Sequence, residues 1–221
     1  MNLPFANMRV FISYSTNDNR WAGAVKKELS AFGFEAFLAH EDLQISEVWK
    51  ERILDELRKC SIFVPILSKS FRESDYAPQE VGVIAVRPDV HVMPVSIDET
   101  VAYGFISQFQ SHRLRDYDSI RTVVIASLAK GFPAEVIPEM IKKVVNAFSF
   151  RSAEAVMAPL VPLFDLIADR QLEVLVDGAI NNEQVWSASL CRTDYLPKLI
   201  RLRSDAIPKD KLARLKFLLE S

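Results

Sequence analysis

The sequence predicts an α/β protein with a parallel sheet of about five strands, covered by helices on both faces and followed by a helical C-terminal region. Short apolar, β-branched segments alternate with amphipathic ones over roughly the first 130 residues. The segment 61–67, SIFVPIL, is apolar throughout, which is typical of a central parallel strand buried under helices. From about Pro133 onward strand candidates become scarce and helical patterns prevail.

The first half of the predicted sheet follows from two strands and the helix between them. Residues 9–13 form a short apolar run and predict the first strand. Asp18 is positioned to cap the next helix, and Gly33 is a suitable C-terminal stop for it. The alternating segment 34–38, FEAFL, predicts the second strand, and an apolar stripe then predicts a helix over residues 47–60.

The second half of the sheet begins with the apolar strand 61–67. Pro65 lies inside this strand and predicts an irregularity near its end, because proline cannot donate to the ladder. Residues 70–86 predict a loop that leads into a helix. The fourth strand is predicted over 90–97, followed by a short fifth strand and then a helix, at residues 111–118 and 119–131.

The C-terminal region, residues 133–221, predicts four to six short helices. Its breaks are expected near Pro159, Pro162 and Pro197, since proline interrupts helices. The segment 171–180, QLEVLVDGAI, is also compatible with a strand, so both structures stay open there.

Composition and charge exclude several classes of protein. The net charge of −2 argues against non-specific binding to nucleic acid or to an anionic membrane. No apolar run approaches the roughly 18 residues of a membrane span, and the N-terminus has no signal-peptide pattern, so we expect a cytoplasmic protein. Two cysteines and three histidines are too dispersed for a disulfide framework or a metal site: Cys60, Cys191, His40, His91 and His112. No dinucleotide-binding or phosphate-binding glycine motif is present.

Three segments resemble a Toll/interleukin-1 receptor (TIR) domain. VFISYS at 10–15 resembles the first box of the family, 33–57 its second strand, loop and helix, and 60–80 its third strand and the segment that ends in SDYAPQE. The likeness covers about residues 8–130. It implies a flavodoxin-like five-stranded sheet, with a TIR domain over 1–132 and a helical extension over 133–221.

The resemblance implies two alternative functions. Some TIR proteins are adaptors that assemble through the loop after the second strand, whereas others, many of them bacterial and active in anti-phage defence, cleave NAD+ at the nicotinamide–ribose bond. The enzymes carry a glutamate four residues after an aromatic residue, usually tryptophan. Here Tyr76 and Glu80 occupy those positions, so the resemblance makes Glu80 the catalytic residue and NAD+ the substrate.

A carboxylate suits this reaction, because nicotinamide leaves through an oxocarbenium-like transition state that a nearby anion stabilises. The resemblance also implies substrate contacts from the first strand, the next loop and the aromatic position: Ser13, Tyr14, Ser15, Leu43 and Tyr76. No cofactor is expected, since the leaving group is already cationic. Ala39 replaces an aspartate common in the family, and Glu41 or Asp42 are alternative carboxylates, although a solvated loop also explains them.

Other interpretations compete with catalysis. A glutamate that closely follows Pro78 at a helix start is often solvated or simply favoured by the helix dipole. If Glu80 has only such a structural role, the chain is expected to be a non-catalytic scaffold that acts through TIR–TIR assembly. A third possibility is an unrelated fold that transfers nucleoside glycosyl groups. In either TIR case we expect a homo-oligomer formed through the TIR and helical regions, with the helical region controlling self-association.

Overall fold

The structure, a computed structural model, describes Phe5, residues 8–39 and residues 48–220, with backbone alone at positions 48 and 49. The chain divides into two compact units, Met1–Ser127 and Leu128–Ser221. The domain boundary that the sequence predicts, after residue 132, lies a few residues later in the chain than this division. The predicted division into a TIR domain and a helical extension stays a prediction.

The first unit contains a fully parallel sheet. Its strands run in the spatial order β2-β1-β3-β5-β6, and β4 also pairs with β3. The strands are β1 Arg9–Ser13, β2 Glu35–Leu38, β3 Ile62–Leu67, β4 His91–Val92, β5 Val95–Ser96 and β6 His112–Arg113. Because β4 and β5 are two halves of the predicted fourth strand, the prediction of a parallel sheet of about five strands is confirmed.

Two prolines explain why the fourth strand is interrupted. Phe63 pairs with Val92 and Ile66 with Val95, so the break at residues 93–94 lies opposite the part of β3 that contains Pro65. Pro65 has no N–H to donate to the neighbouring strand, and Pro94 also lacks one. The irregularity that the sequence predicts at Pro65 is therefore present, and it interrupts the partner strand rather than β3 itself.

Helices surround the sheet strands of the first unit. They are α1 Asn19–Phe32, α2 Val48–Lys59, α3 Lys69–Arg72 and α4 Ala77–Ala85, with 3₁₀ turns at Thr16–Asp18 and Gly104–Ile106. A fifth helix, α5 Ser119–Gly131, begins in the first unit and ends in the second. Gly33 ends α1 at φ +103° and donates its amide to the carbonyls of Leu29 and Ser30. Glycine adopts this left-handed conformation without steric strain, which confirms the predicted stop.

The start of α1 differs from the prediction. Asp18 occupies the N-cap position of α1, but its side chain makes no capping hydrogen bond. The side chain of Ser15, at the N-cap of the preceding 3₁₀ turn, makes none either. The predicted capping role of Asp18 is wrong, because its carboxylate accepts a hydrogen bond from Ser68 instead, at 2.6 Å.

Side-chain alternation determines which residues of β1 approach α4. Phe11 belongs to a buried apolar cluster that includes Phe63 of β3, Leu57 of α2 and Val81 of α4. Successive side chains of a strand point to opposite faces, so Ser13 lies on the same face as Phe11. The sequence of β1 thus directs a hydroxyl toward the helix that carries Glu80.

The second unit is helical, as predicted. Its six α-helices are α6 Pro133–Val145, α7 Phe150–Met157, α8 Asp169–Asn181, α9 Glu183–Trp186, α10 Leu196–Arg203 and α11 Lys209–Glu220. A 3₁₀ segment, Ala158–Leu166, contains Pro159 and Pro162, and Pro197 lies in the first turn of α10. The strand alternative for 171–180 is wrong, because this segment belongs to α8.

Two close contacts tie α8 and α9 to the end of α6. A Cβ atom on Gly178 of α8 would lie 1.9 Å from Cγ1 of Val145, so only glycine fits there. The side-chain amide of Asn182 donates to the carbonyls of Val145 and Ala147, at 3.0 and 2.9 Å. Its oxygen also accepts the amide of Gln184 and caps α9.

No helix in the described part of the chain has the length and apolar character that a membrane crossing requires.

Candidate active site

Polar side chains gather where the central strands end. Ser13, Tyr14 and Ser15 come at the end of β1, Ser68 follows β3 directly, and Ser96 is the last residue of β5. Parallel strands end at the same edge of a sheet, and ligands of such sheets bind outside the carboxyl ends. The arrangement therefore concentrates hydroxyl groups at the edge where a ligand is expected.

Glu80 of α4 meets this edge through Ser13. The Oγ of Ser13 donates a short hydrogen bond to Oε2 of Glu80, although the two residues are 67 positions apart in the sequence. Ser13 is fully buried, and Glu80 exposes only 4% of its surface. The explanation of Glu80 as a solvated surface residue is therefore wrong.

The local sequence explains why α4 begins where it does. The Oγ of Ser74 accepts hydrogen bonds from the amides of Tyr76 and Ala77, both at 3.3 Å. Pro78 lies in the first turn, where its missing N–H has no partner to lose. The amide of Glu80 then closes the turn on the carbonyl of Tyr76, at 3.1 Å, which fixes the carboxylate at the helix start.

The two carboxylate oxygens of Glu80 have different environments. Oε2 accepts from Ser13, whereas Oε1 is buried and has no hydrogen-bond partner among the residues that the structure describes. Burial raises the pKa of Glu80 from 4.5 to about 7, and the hydrogen bond from Ser13 limits the increase. Near neutral pH this group is consequently divided between its protonated and ionised forms.

The sequence profile of the TIR domain family matches residues 10–124, which is more than half of the chain. The chain belongs to the TIR domain family. The family includes both NAD-cleaving enzymes and non-catalytic adaptors. No curated protein matches the chain.

Among solved structures, the chain is similar to the TIR domain of the Toll-related receptor TRR-2 from the lower metazoan Hydra magnipapillata. The two share 15% sequence identity, and the match covers 56% of this chain and 97% of that one, with a TM-score of 0.46.

The other residues that were expected to contact the substrate differ from one another in their burial. Tyr14 and Ser15 are buried, as Ser13 is. The side chains of residues 13–15 therefore lie inside the protein at this end of the sheet and not on its surface. Tyr76 is 49% exposed at the N-cap of α4, one helical turn before Glu80. Leu43 lies outside the described residues, as do Glu41 and Asp42.

Ala39 is buried in the apolar cluster that contains Phe11 and Phe71. A methyl side chain there offers a substrate no polar contact. At this position, where the family resemblance implies an aspartate, the chain has no polar side chain.

A second pair of a hydroxyl and a carboxylate lies at this edge of the sheet, and the sequence did not predict it. Ser68 donates to Oδ2 of Asp18 at 2.6 Å and accepts the amide of Phe71 at 2.9 Å. Burial raises the pKa of Asp18, the hydrogen bond from Ser68 opposes this, and the charge of Asp98 adds to the increase. The available signal was position, since Ser68 and Asp98 directly follow the strands that the sequence predicts over 61–67 and 90–97.

Tyr103 was also missed. It precedes the 3₁₀ turn Gly104–Ile106 and packs against the apolar cluster that includes Ala77 and Val81 of α4. The guanidinium of Arg72 lies 4.7 Å from the centre of its ring, a cation–π distance. Its hydroxyl is buried without a hydrogen-bond partner among the described residues, and burial raises its pKa while Arg72 opposes the increase.

The cysteines have no part in this site. Cys60 and Cys191 are both free and buried, and burial raises their pKa values to about 11 and about 12. Both thiols are therefore protonated near neutral pH. Within residues 8–39 and 48–220, no three His, Cys, Asp or Glu side chains lie close enough together to hold a metal ion.

Proposed function

We propose that the protein is an NAD+ glycohydrolase that releases nicotinamide and forms ADP-ribose or cyclic ADP-ribose. The observation that supports this most strongly is the carboxylate of Glu80. It is buried at the carboxyl edge of the sheet, held through one oxygen by Ser13, and has no described partner for the other oxygen. A perturbed carboxylate in such a place is typical of catalytic groups.

The reaction requires little more than this group. The bond between C1′ of the ribose and the pyridinium nitrogen breaks, and its electron pair goes to the nitrogen, so that neutral nicotinamide departs. Positive charge develops on the ribose, and the Glu80 carboxylate stabilises it. Water then adds to C1′ and loses a proton to give ADP-ribose, whereas attack by an adenine nitrogen of the same molecule gives the cyclic product.

The remaining edge residues supply binding. The hydroxyls of Tyr14 and Ser15 are the proposed contacts to ribose or phosphate, and Tyr76 packs on a base or ribose. Leu43, which lies outside the described residues, is a further proposed contact. NAD+ is the substrate, and no cofactor takes part. Because Glu80 is nearly closed off from solvent, binding of NAD+ has to uncover its carboxylate.

The test is release of nicotinamide from NAD+ by the full-length protein at high concentration. Glu80→Gln keeps the shape of the side chain and removes the negative charge, so we expect cleavage to be abolished. Glu135→Gln is the matched control, because Glu135, like Glu80, lies in a first helical turn that contains a proline, but it is exposed. Equal rates for the wild type and Glu80→Gln would exclude Glu80 as the catalytic residue.

The second candidate function is a non-catalytic scaffold that acts by TIR–TIR assembly. Large exposed apolar side chains on both units favour self-association, among them Phe105 of the first unit, with 73% of its surface exposed, and Phe148 of the helical unit, with 87%. Light scattering over a dilution series, with and without Phe148→Asp, measures such assembly. Concentration-dependent assembly together with no nicotinamide release from the wild type would favour the scaffold.

The setting that the family resemblance implies is the bacterial cytoplasm, in anti-phage defence or signalling. Self-association through the TIR and helical units is compatible with both candidate functions. Loss of phage resistance on Glu80→Gln, in cells that carry the gene, would connect cleavage to defence.

A further inference from the structure

We infer that Ser13 is a positioning residue, whose hydroxyl holds Oε2 of Glu80 and leaves Oε1 as the oxygen that acts on the substrate. This inference rests on the proposed cleavage of NAD+. It assigns Ser13 a role through Glu80 instead of the direct substrate contact that the sequence implies.

Ser13 is held on a rigid support. It ends β1, which lies in the interior of the sheet between β2 and β3, and it pairs in register with Pro65. The residue before it, Ile12, is paired on both sides, with Leu38 of β2 and Val64 of β3, and the side chain of Ser13 is fully buried. A hydroxyl that is fixed in this way directs a carboxylate better than one on a loop.

The hydrogen count of a serine hydroxyl decides between the two roles. A hydroxyl has one hydrogen to donate, and that of Ser13 goes to Oε2 of Glu80. While Glu80 is ionised, Ser13 cannot also donate to a ribose or a phosphate. Rotation of the carboxylate is restricted at the same time, so that Oε1 keeps one orientation.

The same hydrogen bond favours the ionised form of Glu80, which is the form that stabilises positive charge. Burial alone raises the pKa of Glu80, and the bond from Ser13 lowers it. Without Ser13, a larger share of Glu80 is protonated at neutral pH, and the remaining carboxylate is less well oriented.

The first measurement is the titration of Glu80 by NMR in protein labelled with ¹³C at the glutamate carboxyl carbons. The Glu80 signal is identified by its loss in Glu80→Gln. We expect the midpoint to rise in Ser13→Ala and to return toward the wild-type value in Ser13→Thr, which keeps the hydroxyl. Ser61→Ala is the matched control, because Ser61 lies at the opposite edge of the sheet, where its hydroxyl donates to the carbonyl of Arg9 at 3.4 Å.

The second measurement is the pH profile of kcat and KM for nicotinamide release. In Ser13→Ala we expect the acid limb of the kcat profile to move to higher pH. Hydrogen bonds to charged groups are strong enough for a loss of about tenfold or more near neutral pH, with partial recovery in alkali. A direct substrate contact would instead raise KM at every pH and leave the limb in place.

The outcomes separate the inference from the proposed function. An active wild type with the same Glu80 midpoint and the same acid limb in Ser13→Ala overturns the role of Ser13 and leaves NAD+ cleavage intact. A wild type that releases no nicotinamide at any pH rejects the proposed function, and the positioning role is rejected with it even if the midpoint moves. A shifted midpoint and limb, both restored by threonine, support the inference.

Discussion

Replacing Glu80 by glutamine is expected to change how stability depends on pH. The pKa of Glu80 is raised from 4.5 to about 7 in the folded protein. An acid with a higher pKa in the folded state binds its proton more tightly there than in the unfolded chain. Its contribution to stability is therefore fully present below about pH 4.5 and is lost as the pH rises through about 7.

The magnitude follows from the two pKa values. Each tenfold change in proton affinity corresponds to about 1.4 kcal/mol, so ionisation of Glu80 in the folded protein opposes folding by about 3 kcal/mol. Glutamine has nearly the same shape and never ionises. Glu80→Gln should be about as stable as the wild type near pH 4.5, and more stable by up to about 3 kcal/mol above pH 8.

The assay is unfolding in guanidinium chloride at a series of pH values, followed by the fluorescence of Trp21 in proteins whose other two tryptophans, Trp49 and Trp186, are replaced by phenylalanine. This ring stacks on Tyr117 at 4.4 Å between centroids, so its emission reports on the first unit. The quantity of interest is the difference in unfolding free energy between the wild type and Glu80→Gln, because groups common to both cancel. A difference that stays constant from acid to alkali would refute the burial of an ionisable Glu80.

Other substitutions test the packing around the site and in the helical unit, all by thermal or chemical unfolding. Gly178→Ala should destabilise the protein by about 1–3 kcal/mol, because its new Cβ overlaps Val145. Gly23→Ala, which has no neighbour within 4 Å, should stabilise the protein through α1 by about 0.5–1 kcal/mol. Equal effects of the two substitutions would contradict the tight contact at Gly178. Ser68→Ala removes the cap of α3 and should cost about 1–2 kcal/mol, and no loss would exclude that cap. Asn182→Ala breaks three hydrogen bonds and should cost about 1–3 kcal/mol; an unchanged midpoint would mean that water replaces them.

Most of the fold could be predicted from local sequence because the strands carry strong patterns. The fully apolar β3, Ile62–Leu67, occupies the centre of the sheet as expected, and all its residues are buried. In α8, Leu172, Leu175, Val176 and Ala179 are buried at helical spacing, which decides against the strand alternative. That spacing was already present in the sequence, but the β-branched residues obscured it.

The contacts at the carboxyl edge could not be predicted in the same way. Asp18 has the position of a helix cap, yet its carboxylate bonds to Ser68, 50 residues later. Such a pairing depends on β1 and β3 being neighbours in the sheet, and no local pattern states which strands are adjacent. The candidate catalytic role of Glu80 came from the family resemblance, whereas its burial and its hydrogen bond from Ser13 are known only from the structure.

Burial of Glu80 also discriminates between a structural and a chemical role. A residue that serves only the helix dipole gains nothing from burial, since an exposed glutamate such as Glu135 fulfils that role. A residue that serves only to accept from Ser13 would be better as glutamine, whose oxygen makes the same bond without an ionisation that opposes folding. What glutamine cannot supply is a negative charge held in a nearly closed site. The unfavourable burial of a carboxylate is thus the feature on which the proposed charge stabilisation at this edge rests.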